Sequence, residues 1–263
     1  MGRRIVIASG KGGVGKTTIT AGLGRALADL GASVVLIDAD AGLSNLDTHM
    51  NIQGKIVFDL SDLMNRKCRI KQALIPDPYN DNLFTIASSK IEVGDELDDV
   101  NRFNEITQKL SSVFDFVLID APAGASSGFK VALAGADEGL IVVTPHTSSL
   151  RDADKIISVV QSSLSSVYLV INRIRGDLVL SHDMLSHQDI QTLFSKKVIG
   201  IVPESDYVSI FSSIKFDTRK DKECDKCFKL LADNLYNGKS KLYDYKKPYR
   251  GLIGFLKRKL KRA

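Results

Sequence analysis

A mostly parallel, twisted α/β sheet with helices on both faces is the fold this sequence predicts, and two observations predict it. Short β-branched runs bounded by turn residues recur at Ile5–Ser9, Ser33–Asp38, Phe114–Asp120, Gly139–Thr144, Val167–Asn172 and Val198–Val202, with helical patterns between them. Each run is almost continuously apolar, as strands covered on both faces are, whereas a half-solvated antiparallel strand would alternate. With 263 residues, 44% of them hydrophobic and 25% charged, the chain is long enough to bury one large core. Ligands on such a sheet bind at the carboxyl ends of its strands, so the residues that follow each run come under scrutiny first.

The first strand leads directly into Gly10-Lys11-Gly12-Gly13-Val14-Gly15-Lys16-Thr17, and a helical run follows from Thr17 to Leu30. This is the P-loop spacing in its strand, loop and helix context. Glycines let backbone N–H groups close around phosphate oxygens, and the helix N-terminus adds positive potential. Lys16 can reach the β- and γ-phosphates, and the Thr17 hydroxyl can ligate Mg²⁺. A plain glycine turn would need neither the Lys-Thr pair nor this spacing.

Two further strand ends carry acids. Asp38-Ala39-Asp40 closes the second run and continues as Ala41-Gly42-Leu43-Ser44-Asn45-Leu46-Asp47, and Asp120-Ala121-Pro122-Ala123-Gly124 closes the third. Hydrolysis of a nucleoside triphosphate needs a hydrated metal and an aligned water, and carboxylates at the mouth of one crevice can serve both. Each aspartate taken alone also fits a turn or helix cap.

Charge divides unevenly along the chain. Of the net +5, residues 246–263 hold eight cations and no acid, which leaves −3 on the rest. A body that binds nucleic acid would carry its own basic stripe, so no nucleic-acid partner is expected. Residues 1–238 read as one domain, 239–248 as a polar tether, and 249–263 as an amphipathic helix. At ~100° per residue, Tyr249, Leu252, Ile253, Phe255, Leu256 and Leu260 fall within an arc of roughly 160°. Lys257, Arg258, Lys261 and Arg262 lie outside that arc, and the long stem of Lys259 can snorkel. That composition suits an interfacial anchor on an anionic membrane surface. The first residues lack the apolar core of a signal peptide, and no stretch reaches the roughly 18 apolar residues of a spanning helix. Val6 stands where a myristoylation signal wants a hydroxyl residue. Three cysteines, Cys68, Cys224 and Cys227, are too few for a disulfide framework and suggest a reducing, cytoplasmic setting.

Residues 11–18, Lys-Gly-Gly-Val-Gly-Lys-Thr-Thr, place a second lysine straight after the first glycine, and so resemble the deviant Walker A group of P-loop ATPases. The resemblance implies ATP and Mg²⁺ as ligands of Gly10 to Thr18, the last of these being Thr18 beside the metal-ligating Thr17. It also implies an ATP-dependent homodimer in which Lys11 reaches the partner's nucleotide. By the same likeness Asp40 belongs to switch I and orients the attacking water, Asp120 belongs to switch II and supports Mg²⁺ through water, and Asp38 assists.

Within that group, Gly42-Leu43-Ser44-Asn45-Leu46-Asp47 is similar to switch I of the MinD and FlhG families and unlike that of ParA proteins. Asp120-Ala121-Pro122-Ala123-Gly124, Gly128-Phe129-Lys130 and Arg151-Asp152-Ala153-Asp154 each resemble the MinD family more than FlhG. Ile171-Asn172-Arg173-Ile174-Arg175, with Val202-Pro203-Glu204, resembles the family's adenine-recognising segments, which makes Asn172 the base-reading candidate and Pro203 its neighbour. The likeness covers nearly the whole chain; Ser44 departs from it, where MinD proteins commonly carry Arg. It implies a membrane-cycling ATPase that places the division site by recruiting a MinC-type inhibitor, with a MinE-type activator as a further partner. Such a protein is cytoplasmic and peripheral on the inner face of the cell membrane or its organellar equivalent. An iron-sulfur carrier ATPase, or a ParA- or FlhG-type positioning ATPase, stays open as the alternative. The first of these rests on Cys224-Asp225-Lys226-Cys227, which opens a helical run to Leu235 and sets both thiols on one face. The four histidines, His49, His146, His182 and His187, show no ligand spacing and read as surface or polar-core residues.

Overall fold

A computed structural model describes residues 1–40, 45–88, 96–205, 221–251 and 254, with the side chains of residues 96 and 97 left aside. Among the described residues, eight strands form one sheet in the order β3-β4-β2-β5-β1-β6-β7-β8. They are β1 Arg3–Ala8, β2 Val34–Asp38, β3 Ile75–Pro76, β4 Leu83–Ile86, β5 Phe116–Asp120, β6 Glu138–Val143, β7 Ser166–Ile174 and β8 Val198–Pro203. Every pairing is parallel except that of β3 with β4. The apolar runs predict this outcome because a strand buried on both faces leaves little room for polar side chains along its length; residues 34–37 of β2 and 116–119 of β5 are all apolar and buried, and only the strand-end aspartates break the run.

The sequence patterns miss the two strands at one side of the sheet. β4 has only four residues after an Asn80-Asp81-Asn82 turn, too short for its period to show, and is recruited by pairing Val34 with Leu83. β3 holds Pro76, which lacks a ladder donor and is tolerated because this strand sits at the sheet edge.

Helix α1, Lys16–Asp29, and a long helix near the C-terminus, Lys222–Tyr236, pack against each other, with the first also on β2 and β5 and the second on β8. Short helices intervene as α2 Leu46–Met50, α3 Leu60–Met64 and α4 Ile70–Ala73. Then α5 Glu96–Ser111 packs on α6 Ser127–Ala134, and α7 Thr147–Ser163 packs on β6 and β7. Right-handed crossovers put α6 and α7 on the face opposite α1. After α8 Gly176–Leu180 and α9 His187–Phe194, the helix Lys222–Tyr236 is α10. Among the described residues no helix is long and apolar enough to cross a membrane.

The segment expected to be a tether is instead docked on the body. The Asn234 amide of α10 donates to the carbonyls of Ile199 at 2.9 Å and Lys241 at 3.0 Å, and its oxygen accepts the Lys241 N–H at 3.0 Å. Tyr243 and Tyr245 are buried at 9% and 3% exposure. The Tyr245 hydroxyl accepts the His187 backbone N–H at 3.3 Å and lies 3.0 Å from its Nδ1. A polar composition reads as linker, but tyrosines bury an apolar ring while a partner satisfies the hydroxyl. The expected anchor residues Leu252, Ile253, Phe255, Leu256 and Leu260 lie outside the described residues, as does Gly42-Leu43-Ser44.

Candidate active site

The strand order reverses around β1, and the carboxyl ends of β1, β2 and β5 meet there. Past the strand ends the backbone continues to hold the segments together. The Ala39 N–H donates to the Asp120 carbonyl at 3.0 Å, and the Gly124 N–H to the Ser9 carbonyl at 3.0 Å. Residues far apart in sequence thus surround the loop that joins β1 to α1.

That loop is pinned at both ends. At its start, a Cβ on Gly10 would fall 2.1 Å from the Asp152 carbonyl carbon of α7, so the backbones touch and glycine is required. At its end, Gly15 has φ 94, in the left-handed region, and its hypothetical Cβ would lie 2.3 Å from the Asn172 amide nitrogen. Between them Lys11, Gly12 and Gly13 are exposed. Gly15 caps α1 without a side-chain hydrogen bond, and no acid stands in the first turn. The opening N–H groups of this 14-residue helix therefore face the crevice with neither an N-cap side chain nor a first-turn acid to take them, an arrangement that attracts an anion.

Lys16 is buried at 8% exposure and its charge acts on Asp120. Asp38 and Asp120 are register partners on adjacent parallel strands, each 1% exposed. Burial first, and then the neighbouring Asp120 carboxylate, hold the Asp38 carboxyl well above the usual range, against the pull of N–H donation from Asp40 at 3.1 Å and Leu46 at 3.4 Å. Burial pushes Asp120 up to about 6, opposed by Lys16, the Thr17 hydroxyl and Thr20. Asp40 is half-buried and close enough that its charge raises both carboxyls. Two carboxylates that resist ionising together are a natural seat for cationic charge. Among the described residues no three His, Cys, Asp or Glu side chains gather as an all-protein metal cage. A donor set of one or two carboxylates and a threonine hydroxyl suits Mg²⁺, which completes its shell with phosphate and water oxygens.

The structure brings all of these together: Gly10 to Thr18, Asp38, Asp40 and Asp120 share one crevice. Asn172 and Pro203 stand at its side, where β7 and β8 end next to each other and Asn172 pairs with Val202. A bulge follows Asn172, and exposed Arg173 there has φ 56.

Two residues of the crevice escaped the sequence reading. Thr20 Oγ1 lies 3.1 Å from Asp120 Oδ1 and 3.0 Å from the Lys16 carbonyl; its spacing of four from Lys16 is the only sequence signal it gives. His49 is buried, and burial lowers its pKa from the ordinary range; its Nδ1–H donates to the Asn45 carbonyl at 2.8 Å, and its Nε2 lies 3.3 Å from Thr18 Oγ1, from which the neutral ring accepts. Only a folded chain sets it there. The cysteine pair is packed into the core: Cys224 and Cys227 are 2% and 1% exposed. Burial raises both thiols, Cys224 to about 12.

A glycine loop on a helix N-terminus, a buried lysine and paired strand-end carboxylates define a P-loop nucleotide-binding protein. Residues 5–213 match the family described as the CobQ/CobB/MinD/ParA nucleotide binding domain. The septum site-determining protein MinD of Thermotoga maritima is 37% identical over 272 aligned residues, covering 100% of both chains. Among solved structures, MinD in the MinC:MinD cell division protein complex of Aquifex aeolicus aligns with a TM-score of 0.84 at 35% identity, over 92% of this chain and 99% of that one. The septum site-determining protein MinD of Pyrococcus horikoshii, solved with Mg-ADP, aligns with a TM-score of 0.78 at 25% identity, over 90% and 96%. This chain belongs to the MinD family.

Proposed function

We propose that this protein is a Mg-dependent ATPase that dimerises around ATP, docks reversibly on an anionic membrane surface, and regulates placement of the division septum. The observation that carries the reading is the uncapped N-terminus of α1 facing the buried Asp38–Asp120 pair across Lys16. Such a crevice matches a polyphosphate with its cation, and the Mg-ADP bound to the Pyrococcus relative supports that assignment.

In the proposed mechanism the N–H groups from Gly10 to Thr18 hold the phosphates, and Lys16 neutralises charge as it builds on the β- and γ-oxygens. Mg²⁺, held by the Thr17 hydroxyl with Asp38 and Asp120 beyond it, would supply charge neutralisation of the transferred phosphoryl group. Asp40 orients the water for in-line attack. Asn172 and Pro203 border the base. Exposed Lys11 extends from the loop toward the nucleotide of a second copy, which makes hydrolysis depend on dimerisation. The MinC partner of the Aquifex relative supports a MinC-type division inhibitor as a partner of this chain, with Arg151 and Asp154 exposed on α7 beside Gly10. A MinE-type activator would act on the same dimer. Residues 252–260 supply the apolar anchor, and the protein then works at the cytoplasmic face of the membrane.

Co-sedimentation with vesicles of phosphatidylglycerol and phosphatidylcholine tests nucleotide switch and anchor together. Mg-ATP should move the protein onto vesicles and Mg-ADP should leave most of it in solution, because one weak anchor becomes firm when a dimer presents two. Phe255→Glu should abolish recruitment while ATP affinity stays unchanged. Equal binding with ADP, or indifference to Phe255→Glu, would overturn the membrane reading.

A further inference from the structure

Asn172 entered as a reader of the base, yet its side chain is built into the phosphate loop. It is 3% exposed. Its Nδ2 donates to the Val14 carbonyl at 2.8 Å, and its Oδ1 accepts the Arg173 N–H at 2.9 Å. The same nitrogen lies where a Cβ on Gly15 would come within 2.3 Å. One hydrogen bond thus joins the end of β7 to the residue before the left-handed Gly15, where the loop turns into α1.

A peptide unit has its carbonyl and the following N–H on opposite sides. Fixing the Val14 carbonyl toward Asn172 therefore fixes the Gly15 N–H away from it, on the side of the crevice. The carbonyl needs such a partner: Val14 is buried, and an unsatisfied buried acceptor carries a desolvation penalty. The Arg173 N–H, presented by the bulge after Asn172, holds the amide against flipping, so the nitrogen keeps facing the loop.

We infer that Asn172 is a positioning residue for the phosphate loop, and that its amide raises affinity for the phosphates whatever base they carry. This rests on the nucleotide reading above and goes beyond it, because a residue that only reads the base has no effect on a ligand without one. Any contact of the remaining amide valences with adenine would be additional.

The probe is inorganic tripolyphosphate with Mg²⁺, measured by calorimetry against ATP in wild type, Asn172→Ala and Asn172→Asp. Losing the bond and stranding the Val14 carbonyl should weaken tripolyphosphate and ATP alike, by about 5- to 100-fold. Asn172→Asp should do no better than Ala, because it turns an acceptor toward a carbonyl. Amide exchange in the nucleotide-free variants should quicken across residues 12–17 and stay unchanged in β1 and β5, which separates loop positioning from general unfolding. Tripolyphosphate affinity and loop exchange both unchanged in Asn172→Ala would overturn the inference and leave Asn172 a base reader alone. Wild-type protein that binds neither ATP nor tripolyphosphate would overturn the nucleotide reading itself, and the inference with it.

Discussion

The crevice at the carboxyl ends of β1, β2 and β5 and the docked segment from Lys241 to Tyr249 are both held by buried polar groups, but in opposite ways. In the crevice the charges are imperfectly matched: Asp38 and Asp120 repel, and neither an N-cap side chain nor a first-turn acid takes the first N–H groups of α1. In the docked segment the contacts close on themselves. The Asn234 amide, the Lys241 backbone and the Tyr245–His187 contact form a satisfied set. Strain kept at a site and satisfaction elsewhere is what a binding protein requires, since only the unsatisfied region gains when a ligand arrives.

Lys16→Ala should produce the largest change that this contrast predicts. It removes the buried cation of the crevice, and with it the charge that faces both the phosphates and Asp120. ATP affinity should fall by more than about 100-fold, because a charge-assisted contact in a water-poor site is lost. Calorimetry that finds near-wild-type affinity would break the assignment of the crevice.

Asp38→Asn comes next and sharpens the comparison by separating stability from function. Removing one of two repelling buried carboxylates should stabilise the nucleotide-free protein by on the order of 2 kcal/mol. For a chain of this size that raises the melting temperature by about 4–8 °C. The additional stabilisation conferred by Mg-ATP on wild type should shrink in the variant. A lower melting temperature without nucleotide would mean that the pair is not a source of strain.

The two regions also differ in how far the sequence reveals them. The crevice was legible because its chemistry restricts residue types at fixed spacing: Gly15 and Lys16 cannot be replaced without losing a backbone conformation or a charge. The apolar runs likewise exposed β1, β2 and β5 to β8, since burial on both faces leaves a continuous signal. The docked segment gave no such signal. Lys241 and Tyr245 dock because α10 and α9 happen to offer Asn234 and His187, partners 7 and 58 residues away in sequence. His49 was illegible for the same reason, as Thr18 lies 31 residues before it. Cys224 and Cys227 show the converse: their shared helix face is legible from their spacing, and that face is buried on the core.

Tyr245→Phe tests the satisfied region and should give the smallest effect. The substitution keeps the buried ring and its edge contact with His187, whose ring centroid is 5.7 Å away, and removes only the hydroxyl. The His187 N–H then loses an acceptor, so about 1 kcal/mol of stability should go, or about 2–4 °C in melting temperature. ATP affinity should not change. The pH dependence supplies a finer mark. Burial, then the charge of Lys246, lowers the His187 pKa from its ordinary 6.5, with Asp189 opposing. A base whose folded pKa lies below its unfolded value takes up its proton more readily when unfolded. Its neutral form therefore stabilises the fold above about pH 6.5, and that contribution is lost as the pH falls through 6.5 toward the folded value. In the neutral tautomer that carries its proton on Nε2, His187 Nδ1 accepts from the Tyr245 O–H 3.0 Å away, which reinforces the neutral ring because a protonated Nδ1 can no longer accept. Tyr245→Phe removes that reinforcement, so the stability difference between the two proteins should be widest near pH 8 and narrow by pH 5. Thermal melts across that range read it directly. A difference that instead widens in acid would show that His187 does not accept from Tyr245.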